Sequence, residues 1–272
     1  MAKRNNTWTE EKISKYIKNG RGQGDLSNYK PWLTIQDVPS SGRSHRIKGK
    51  KTERIHHLLS DLERDYFYLL EWAEDVIDIR EQYPLKREIT CKIAIEKNIH
   101  HPVVSSSQTP IVLTTDFFIT ARKGAIIKSV ARTIKLSSEL KKQRVIEKFE
   151  IERAYWELQG IDWGIVTEKE IPKIIVTNIA MFHDYYFPHE EYTPQLIQSF
   201  VDLIFTTSCI TLGHFLREFD TLLSCQKGTG LALLKHLIAI KKIVYDINQP
   251  FKLNMKLADL KVDSLLEEGR WA

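Results

Sequence analysis

Two carboxylates, a threonine and a lysine have the residue types and spacing that a metal-binding catalytic site needs: Glu63, Asp116, Thr133 and Lys135. Asp116 lies in the otherwise apolar run "IVLTTDFFIT", where an unpaired carboxylate would cost free energy. Thr133 and Lys135 are two residues apart in "AIIKSVARTIK", so on a strand both side chains lie on one face. Divalent cations prefer hard oxygen ligands, and hydrolysis also needs a group that stabilises developing charge. Taken alone, this spacing is weakly specific, because many hairpins match it.

Each of these residues also has a purely structural interpretation. Ser60 and Glu63 form the S-x-x-E pattern of a helix capping box. A given pose of the Glu63 side chain serves either the cap or a metal ion, so these two interpretations exclude each other. Asp116 fits a charge at a strand edge, and Lys135 fits a strand that ends in water. The residues by themselves leave these alternatives open.

Helices and strands that would position these residues follow from the hydrophobic periodicity. "TWTEEKISKYIKNG" predicts a short amphipathic helix with Thr9 as its N-cap. "HHLLSDLERDYFYLLEWAE" predicts a longer helix whose apolar face contains Leu58, Leu62, Tyr66 and either Leu69 or Leu70. "VIDIREQYPL", "IVLTTDFFIT" and "AIIKSVARTIK" predict three strands.

A third helix and a further strand complete this part of the chain. The helix is predicted from Ser137 or Ser138 to Gly160, and the strand is "IDWGIVT". "KREITCKIAIEKNIHHP" fits either a helix or irregular structure. The order of elements predicts an α/β domain over residues 1–168, a mixed sheet flanked by helices.

The pattern changes after residue 168, and residues 169–272 are predicted to form a small helical, winged-helix-like domain. "PQLIQSFVDLIFTT", "TLGHFLREFD" and "TGLALLKHLIAIKKIVYD" predict three short helices, and "PFKLNM" a terminal strand or wing. The presumed recognition helix is mostly apolar, interrupted by Lys235, Lys241 and Lys242. This composition favours protein partnering over the reading of bases, with DNA contact as the alternative.

Basic charge is concentrated near the N-terminus. The net charge is +5, but residues 1–60 carry 13 Lys/Arg against 5 Asp/Glu, whereas residues 166–272 carry 11 against 13. The densest run, "SGRSHRIKGKKTER", contains Arg43, Arg46, Lys48, Lys50, Lys51 and Arg54. Such a run attracts phosphate backbones through counterion release, and a solvated basic loop is the alternative.

Composition argues against several other classes of protein. No apolar run approaches the roughly 18 residues of a membrane span, and "MAKRNNTWTEEK" lacks the apolar core of a signal peptide. Cys91, Cys209 and Cys225 include no CxxC pair, which argues against a disulfide framework and a thiolate zinc site. His45, His56 and His57 have no carboxylate or cysteine at ligand spacing. A reducing, cytosolic protein without a membrane partner is expected.

Four motifs sharpen the interpretation of the site: "VPSSGRSHRI", "HHLLSDLE", "DIREQYPL" and "EKFEIERAYW". In this order and spacing they resemble the TnsA family, the endonuclease subunits of heteromeric cut-and-paste transposases in bacteria. The likeness runs from about residue 8 to residue 178. An acid on a helix, an acid on a strand and polar-x-Lys on the next strand is also the arrangement of the PD-(D/E)xK nucleases. The resemblance therefore implies a restriction-endonuclease-like fold for the first domain.

The resemblance also implies roles for individual residues. Glu63 and Asp116 would be acidic ligands of one or two Mg²⁺ ions, with Mn²⁺ as a substitute, and Lys135 would be the lysine of the nuclease motif. Thr133 stands where the family more often has Gln or Glu, so a short hydroxyl replaces a longer ligand. The backbone carbonyl of Ile134 would be a further ligand. Arg80 in "DIREQ" would steady a carboxylate or phosphate, or form a structural ion pair.

The function implied is cleavage of the 5′, non-transferred strands at transposon ends. The metal ions would activate a water, and Lys135 would orient it and stabilise the developing charge. Family membership would bring a TnsB-type recombinase, a TnsC-type AAA+ ATPase that binds the C-terminal domain, and a nucleoid-associated location in a bacterial cytoplasm. The alternatives are a catalytically inactive DNA-binding or assembly factor, which Thr133 keeps open, and a stand-alone restriction or repair nuclease.

Overall fold

The first part of the chain is built on a sheet flanked by helices. The computed structural model describes residues 8–38, 42–207 and 211–262, and its backbone groups into two units, Met1–Ile171 and Pro172–Ala272. In chain order the first unit contains α1 (Glu10–Lys18), β1 (His45–Lys48), β2 (Ile55–Leu58), α2 (Asp61–Trp72), β3 (Val76–Pro84), α3 (Arg87–Glu96), β4 (Thr114–Lys123), β5 (Ile126–Ile134), α4 (Gln143–Leu158) and β6 (Asp162–Val166).

The central sheet has the strand order β3-β4-β5-β6. The first three strands are antiparallel, with Glu81 opposite Phe117 and Phe117 opposite Arg132. β6 joins β5 in parallel, with Ile165 opposite Thr133. A parallel neighbour needs a crossover connection, and α4 provides it. The predicted mixed sheet with flanking helices is therefore confirmed.

Aromatic side chains join the sheet to its helices. Phe118 of β4 stacks on Trp156 of α4 with ring centroids 5.0 Å apart, and Tyr83 of β3 lies 4.7 Å from Phe118. Phe117, the next residue on β4, meets Tyr66 of α2 edge-on at 5.6 Å. Successive side chains of a strand lie on opposite faces, and burying each such ring contributes about 1.5–3 kcal/mol. These contacts hold α2 and α4 against the sheet, and each helix carries a buried glutamate.

The predicted start of α2 is wrong. Periodicity extended this helix back to His56, whereas residues 56–58 belong to β2, which pairs antiparallel with β1. His56 and Leu58 are buried and His57 between them is only partly buried, which is the two-residue period of a strand. Ser60 caps the helix after this strand. The buried residues of α2 are Glu63, Phe67, Leu70 and Glu71. Of the predicted apolar stripe, Leu70 is therefore buried in the helix, whereas Leu62 and Tyr66 are only partly buried.

Other boundaries are resolved by the structure. The N-terminal helix is confirmed, since the Thr9 hydroxyl accepts a hydrogen bond from the Lys12 amide at 3.2 Å. The undecided segment after β3 contains α3. The helix expected from Ser137 or Ser138 opens as a 3₁₀ turn, Ser137–Lys141, and becomes α-helical at Gln143.

The second unit is helical and ends in a short hairpin. It contains α5 (Lys173–His183), α6 (Pro194–Thr206), α7 (Leu212–Leu222), α8 (Thr229–Ala239), β7 (Ile243–Val244) and β8 (Lys261–Val262). Helices α6, α7 and α8 correspond to the three predicted helices, whereas α5 and the strand pair β7–β8 were not anticipated. The predicted strand "PFKLNM" is wrong: the carbonyls of Leu253 and Met255 instead accept hydrogen bonds from amides at the start of α7.

No helix in the described ranges has the length and apolarity needed to cross a membrane.

Candidate active site

Glu63 lies at the first turn of α2 in a modified capping box. Its amide donates to the Ser60 hydroxyl at 3.1 Å, and that hydroxyl donates to Glu63 Oε1 at 2.9 Å. Oε2 accepts the Leu59 amide at 2.9 Å. The side chain is 7% exposed. Two groups of the cap thus fix the carboxylate in one pose.

Asp116 lies on β4, where β5 supports it. Oδ2 accepts the backbone amide of Ile134 at 2.7 Å. Ile134 therefore meets the site through its N–H group, and coordination by its carbonyl stays a prediction. Asp116 is partly buried, and a carboxylate at such a position needs a partner for its charge.

Gln82 of β3 connects the two carboxylates. Its Nε2 donates to Asp116 Oδ1 at 3.2 Å and lies 3.5 Å from Glu63 Oε2, the outer limit of a hydrogen bond. Its Oε1 accepts the Thr114 hydroxyl at 3.1 Å. Residues from α2, β3 and β4 thus meet at one point. The capped pose of Glu63 is also the pose that faces Asp116, so the structure brings together the two roles that the sequence treated as alternatives.

Negative charge at this point is poorly compensated by the surrounding protein groups. Burial raises the pKa of Glu63 to about 8, and the charge of Asp116 adds to this effect. Burial also raises the pKa of Asp116, although the Ile134 amide, Gln82 and the charge of Lys135 oppose it. A cation would stabilise a buried carboxylate whose affinity for a proton is raised by burial and by an adjacent carboxylate. Lys135 directly follows β5, and its positive charge lowers the pKa of Asp116.

Thr133 faces α4 through its hydroxyl. This group donates to Glu152 Oε1 and accepts the Trp163 Nε1–H at 3.1 Å. Thr115 also donates to Glu152 Oε1, at 2.6 Å, and accepts Trp156 Nε1–H at 2.7 Å. Burial raises the pKa of Glu152 to about 7. The Thr133 hydroxyl thus has two protein partners, and metal contact by it stays a prediction.

Two of the six basic residues predicted to face DNA are engaged inside the first unit. The Arg54 guanidinium donates to both oxygens of Glu81, at 2.8 and 2.5 Å. The Lys51 ammonium donates to the carbonyls of Ala73 and Val76, both at 2.6 Å. The remaining four stay candidates for phosphate contact: Arg43, Arg46 and Lys48 are exposed, and Lys50 is partly exposed.

The other polar residues of the motifs have structural partners. Arg80 Nε lies 3.1 Å from Asp78 Oδ2. Of the roles predicted for Arg80 in "DIREQ", this contact is the structural ion pair. His45 Nε2 lies 2.8 Å from Asp61 Oδ1, and His56 contacts Glu81. Across the described ranges, three or more His, Cys, Asp or Glu side chains nowhere gather as a metal site. A cation between Glu63 and Asp116 would therefore need neutral oxygen ligands as well.

Three buried polar residues of this region were not predicted from the sequence: Glu81, Gln82 and Glu152. Glu81 and Gln82 stand in "DIREQ" and Glu152 in "EKFEIERAYW", two of the motifs that carried the resemblance. These three residues therefore stand in motifs that are recognisable in the sequence. However, no rule of residue spacing predicts which residues they contact. Their partners lie 19 to 37 residues away in the chain.

We expect the metal-free protein to lose stability as the pH rises from about 5 to about 8. The folded state holds a proton on Glu63 with a pKa of about 8 instead of 4.5, so between these values it binds more protons than the unfolded state. Stability then falls with rising pH, by at most about 1.4 kcal/mol per pH unit for one proton. Urea denaturation in EDTA from pH 5 to pH 8 measures this slope. Glu63→Gln should flatten the curve and the exposed control Glu11→Gln should not; an equal slope in both variants would contradict the assignment.

The site and the sheet together define a class of protein, and comparison with known proteins agrees with it. Carboxylates from α2 and β4 beside a lysine at the end of β5, on a mixed sheet flanked by helices, are the features of a restriction-endonuclease-like protein. A family model described as TnsA-like endonuclease N terminal matches residues 73–168, and one described as TnsA endonuclease C terminal matches residues 170–247.

A full-length relative extends the match to the whole chain. The transposon Tn7 transposition protein TnsA of Escherichia coli is 38% identical over 276 residues, which cover 100% of this chain and 99% of that protein. The chain belongs to the TnsA family of transposon endonucleases. Because the first family match begins at residue 73, Glu63 rests on the geometry described above.

Proposed function

We propose that this chain is the subunit of a heteromeric transposase that cleaves the 5′, non-transferred strands at transposon ends in a metal-dependent reaction. The observation that carries the proposal is the meeting of Glu63 and Asp116 across Gln82, with the positive charge of Lys135 acting on Asp116. A buried and a partly buried carboxylate beside one lysine are costly in a structural role and are suited to phosphodiester hydrolysis.

The residues present fit a divalent cation. The two carboxylates supply hard oxygen atoms, and burial together with their mutual repulsion leaves charge that a cation would neutralise. A bound Mg²⁺ ion, or Mn²⁺ in its place, would supply the charge that lowers the pKa of an attacking water and neutralises the phosphate. Glu63 and Asp116 would hold the ion, and Asp116 would remain oriented by the Ile134 amide.

Lys135 acts on the phosphate in this proposal. Its ammonium group would orient the attacking water and stabilise the negative charge that grows on the phosphate oxygens. The backbone amide of Lys135 donates to the Val166 carbonyl at 3.0 Å, so pairing with β6 fixes the position from which the side chain extends. Protein groups held in place before the reaction need no reorganisation when charge develops.

Basic residues of the first unit and the surface of the second unit are the proposed contacts with DNA and protein partners. Arg43, Arg46, Lys48 and Lys50 on or beside β1 would contact phosphates of the transposon end. The second unit would contact a TnsC-type ATPase, and a TnsB-type recombinase would make the 3′ cuts. The apolar residues of α8, including Leu233, Leu234 and Leu237, are buried in the unit's own core. The partner surface is therefore expected on other residues of this unit.

A nicking assay with the full chain tests this proposal. We expect 5′-strand nicks at transposon ends when TnsB-type and TnsC-type partners and Mg²⁺ or Mn²⁺ are present, and none in EDTA. Glu63→Gln and Lys135→Ala should each reduce nicking at least about 100-fold. In Glu63→Gln the carbonyl can still accept the Leu59 amide, and the NH₂ group can donate to the Ser60 hydroxyl, so the cap is kept. Lys141→Ala, an exposed change, should have no effect.

The outcomes separate the candidate functions. Cutting by Glu63→Gln at the wild-type rate would make Glu63 a cap and not a ligand. No cutting by the wild-type chain under any of these conditions would favour an assembly factor. Cutting without any partner would favour a stand-alone nuclease.

A further inference from the structure

Gln82 is the buried polar residue whose position the proposed reaction leaves unexplained. It is 2% exposed, and both ends of its carboxamide are used: Nε2 toward the two carboxylates and Oε1 toward the Thr114 hydroxyl. In the metal-free protein the NH₂ group therefore lies where two carboxylates converge and supplies the partial positive charge they lack.

The backbone of Gln82 supports a specific role for this side chain. Its φ angle is +49°, in the left-handed region, although its neighbours Glu81 and Tyr83 pair regularly with β4. A residue with a Cβ atom adopts this conformation at a cost in free energy, and such strain is concentrated at functional sites. Glycine or asparagine would adopt it more easily but could not place an amide between Glu63 and Asp116. The reach of the glutamine side chain is thus the property that the strained position uses.

The carboxamide is also suited to change partners when a cation arrives. An NH₂ group facing a cation would be repelled, whereas the carbonyl oxygen of the same amide is a hard ligand. Turning the amide end for end would bring Oε1 to the carboxylates and Nε2 to Thr114. The Thr114 hydroxyl donates to Gln82 now and could equally accept from it after the turn. Thr133 offers no comparable group, because its hydroxyl is bonded to Glu152 and Trp163.

We infer that Gln82 takes the place of the metal ion in the free protein and turns over on metal binding to become its neutral oxygen ligand. This inference rests on the proposed function, in which Glu63 and Asp116 bind a divalent cation. It accounts for the neutral ligand that two carboxylates alone do not provide. It also gives Thr114 a role, as the hydrogen-bond partner of the amide in both orientations.

Mn²⁺ binding to the full chain without DNA tests the inference, followed by calorimetry or by the EPR signal of free Mn²⁺. Gln82→Asn keeps an amide and tolerates the left-handed backbone but is too short to reach the site, so Mn²⁺ affinity should fall about tenfold. Gln82→Glu supplies an oxygen in either orientation and should bind Mn²⁺ at least as tightly as the wild type. The exposed control Gln143→Asn should bind Mn²⁺ as the wild type does.

Each other outcome is decisive. Tighter Mn²⁺ binding by Gln82→Asn would show that the amide only competes with the ion, and unchanged binding would show that it takes no part. Either result overturns the inference and leaves the carboxylate site intact. If the wild type itself binds no Mn²⁺, or Asp116→Asn binds it equally well, the metal site of the proposed function fails and the inference fails with it.

The turning of the amide has its own readout. The side-chain NH₂ resonances of Gln82, identified by their loss in Gln82→Asn, should shift during a titration with diamagnetic Mg²⁺. Thr114→Val removes the acceptor for the turned amide and should weaken Mn²⁺ binding several-fold. NH₂ resonances that stay in place while Mg²⁺ binds would overturn the proposed turn.

Discussion

Asp116→Asn is expected to reduce DNA cutting at least about 1,000-fold while leaving the protein at least as stable as the wild type at pH 8. A 1,000-fold loss corresponds to about 4 kcal/mol of activation free energy, a reasonable cost for losing a charged metal ligand. Asparagine has the shape of aspartate and can still accept the Ile134 amide. The fold therefore keeps the hydrogen bond from Ile134 and loses the charge. The NH₂ group of the new asparagine faces Gln82, whose carboxamide can turn its oxygen toward it.

The expected stability follows from the electrostatics of the site. The charge of Asp116 contributes to raising the pKa of Glu63 to about 8, so at pH 8 the metal-free site holds repelling charge. Removing one carboxylate relieves this repulsion, and the benefit should be largest at high pH. An essential structural aspartate would behave in the opposite way, because its loss would destabilise the fold.

Two measurements on the same preparation check this prediction: 5′-strand nicking in Mg²⁺, and urea denaturation at pH 8 in EDTA. Asp162→Asn is the matched control, since Asp162 pairs with Arg132 at the surface and its side chain is 68% exposed. Nicking by Asp116→Asn within tenfold of wild type would remove Asp116 from the site. Normal nicking by the control is required for the comparison.

The sequence predicts those elements whose signals are local. Strands β4, β5 and β6 are apolar, β-branched runs bounded by turns, so each can be predicted from a short sequence segment. Asp116 and Lys135 could be singled out because a lone carboxylate in an apolar strand and a lysine at a strand end are recognisable from the sequence alone. The start of α2 could not, because Leu58 lies four residues before Leu62 and so also fits the period of a helix.

The rest of the site depends on contacts between distant residues. Gln82 and Glu152 are polar residues that single-sequence reasoning would place at the surface, yet both are at most 5% exposed. What keeps them inside is a set of partners on other elements, such as Asp116 for Gln82 and Thr133 for Glu152. No local pattern encodes such a pairing, and a buried polar residue is stable only with its partners present.

Glu81→Gln is expected to cause the largest loss of stability in the first unit, about 3–5 kcal/mol. Glu81 is fully buried and accepts two hydrogen bonds from Arg54 and one from the His57 amide, while His56 Nδ1 lies 2.8 Å from Oε2. Burial alone would raise the pKa of Glu81, but His56 and Arg54 together hold it well below its usual range. The carboxylate is therefore charged at neutral pH, and its contribution to stability is lost only in acid.

The cost arises because glutamine leaves the guanidinium of Arg54 without a counter-charge, and only 8% of that side chain is exposed. A buried ion that loses its partner costs far more than a surface pair, which contributes about 0–1 kcal/mol. Glu150→Gln provides the comparison, since Glu150 pairs with Arg153 on the solvent side of α4. Urea denaturation of both variants at pH 7 measures the difference.

Because Glu81 joins β2 to β3, the amides of β2 should also exchange faster with solvent in Glu81→Gln. A loss below 1 kcal/mol would mean that Arg54 finds another partner and that the position of the β1–β2 pair does not depend on Glu81.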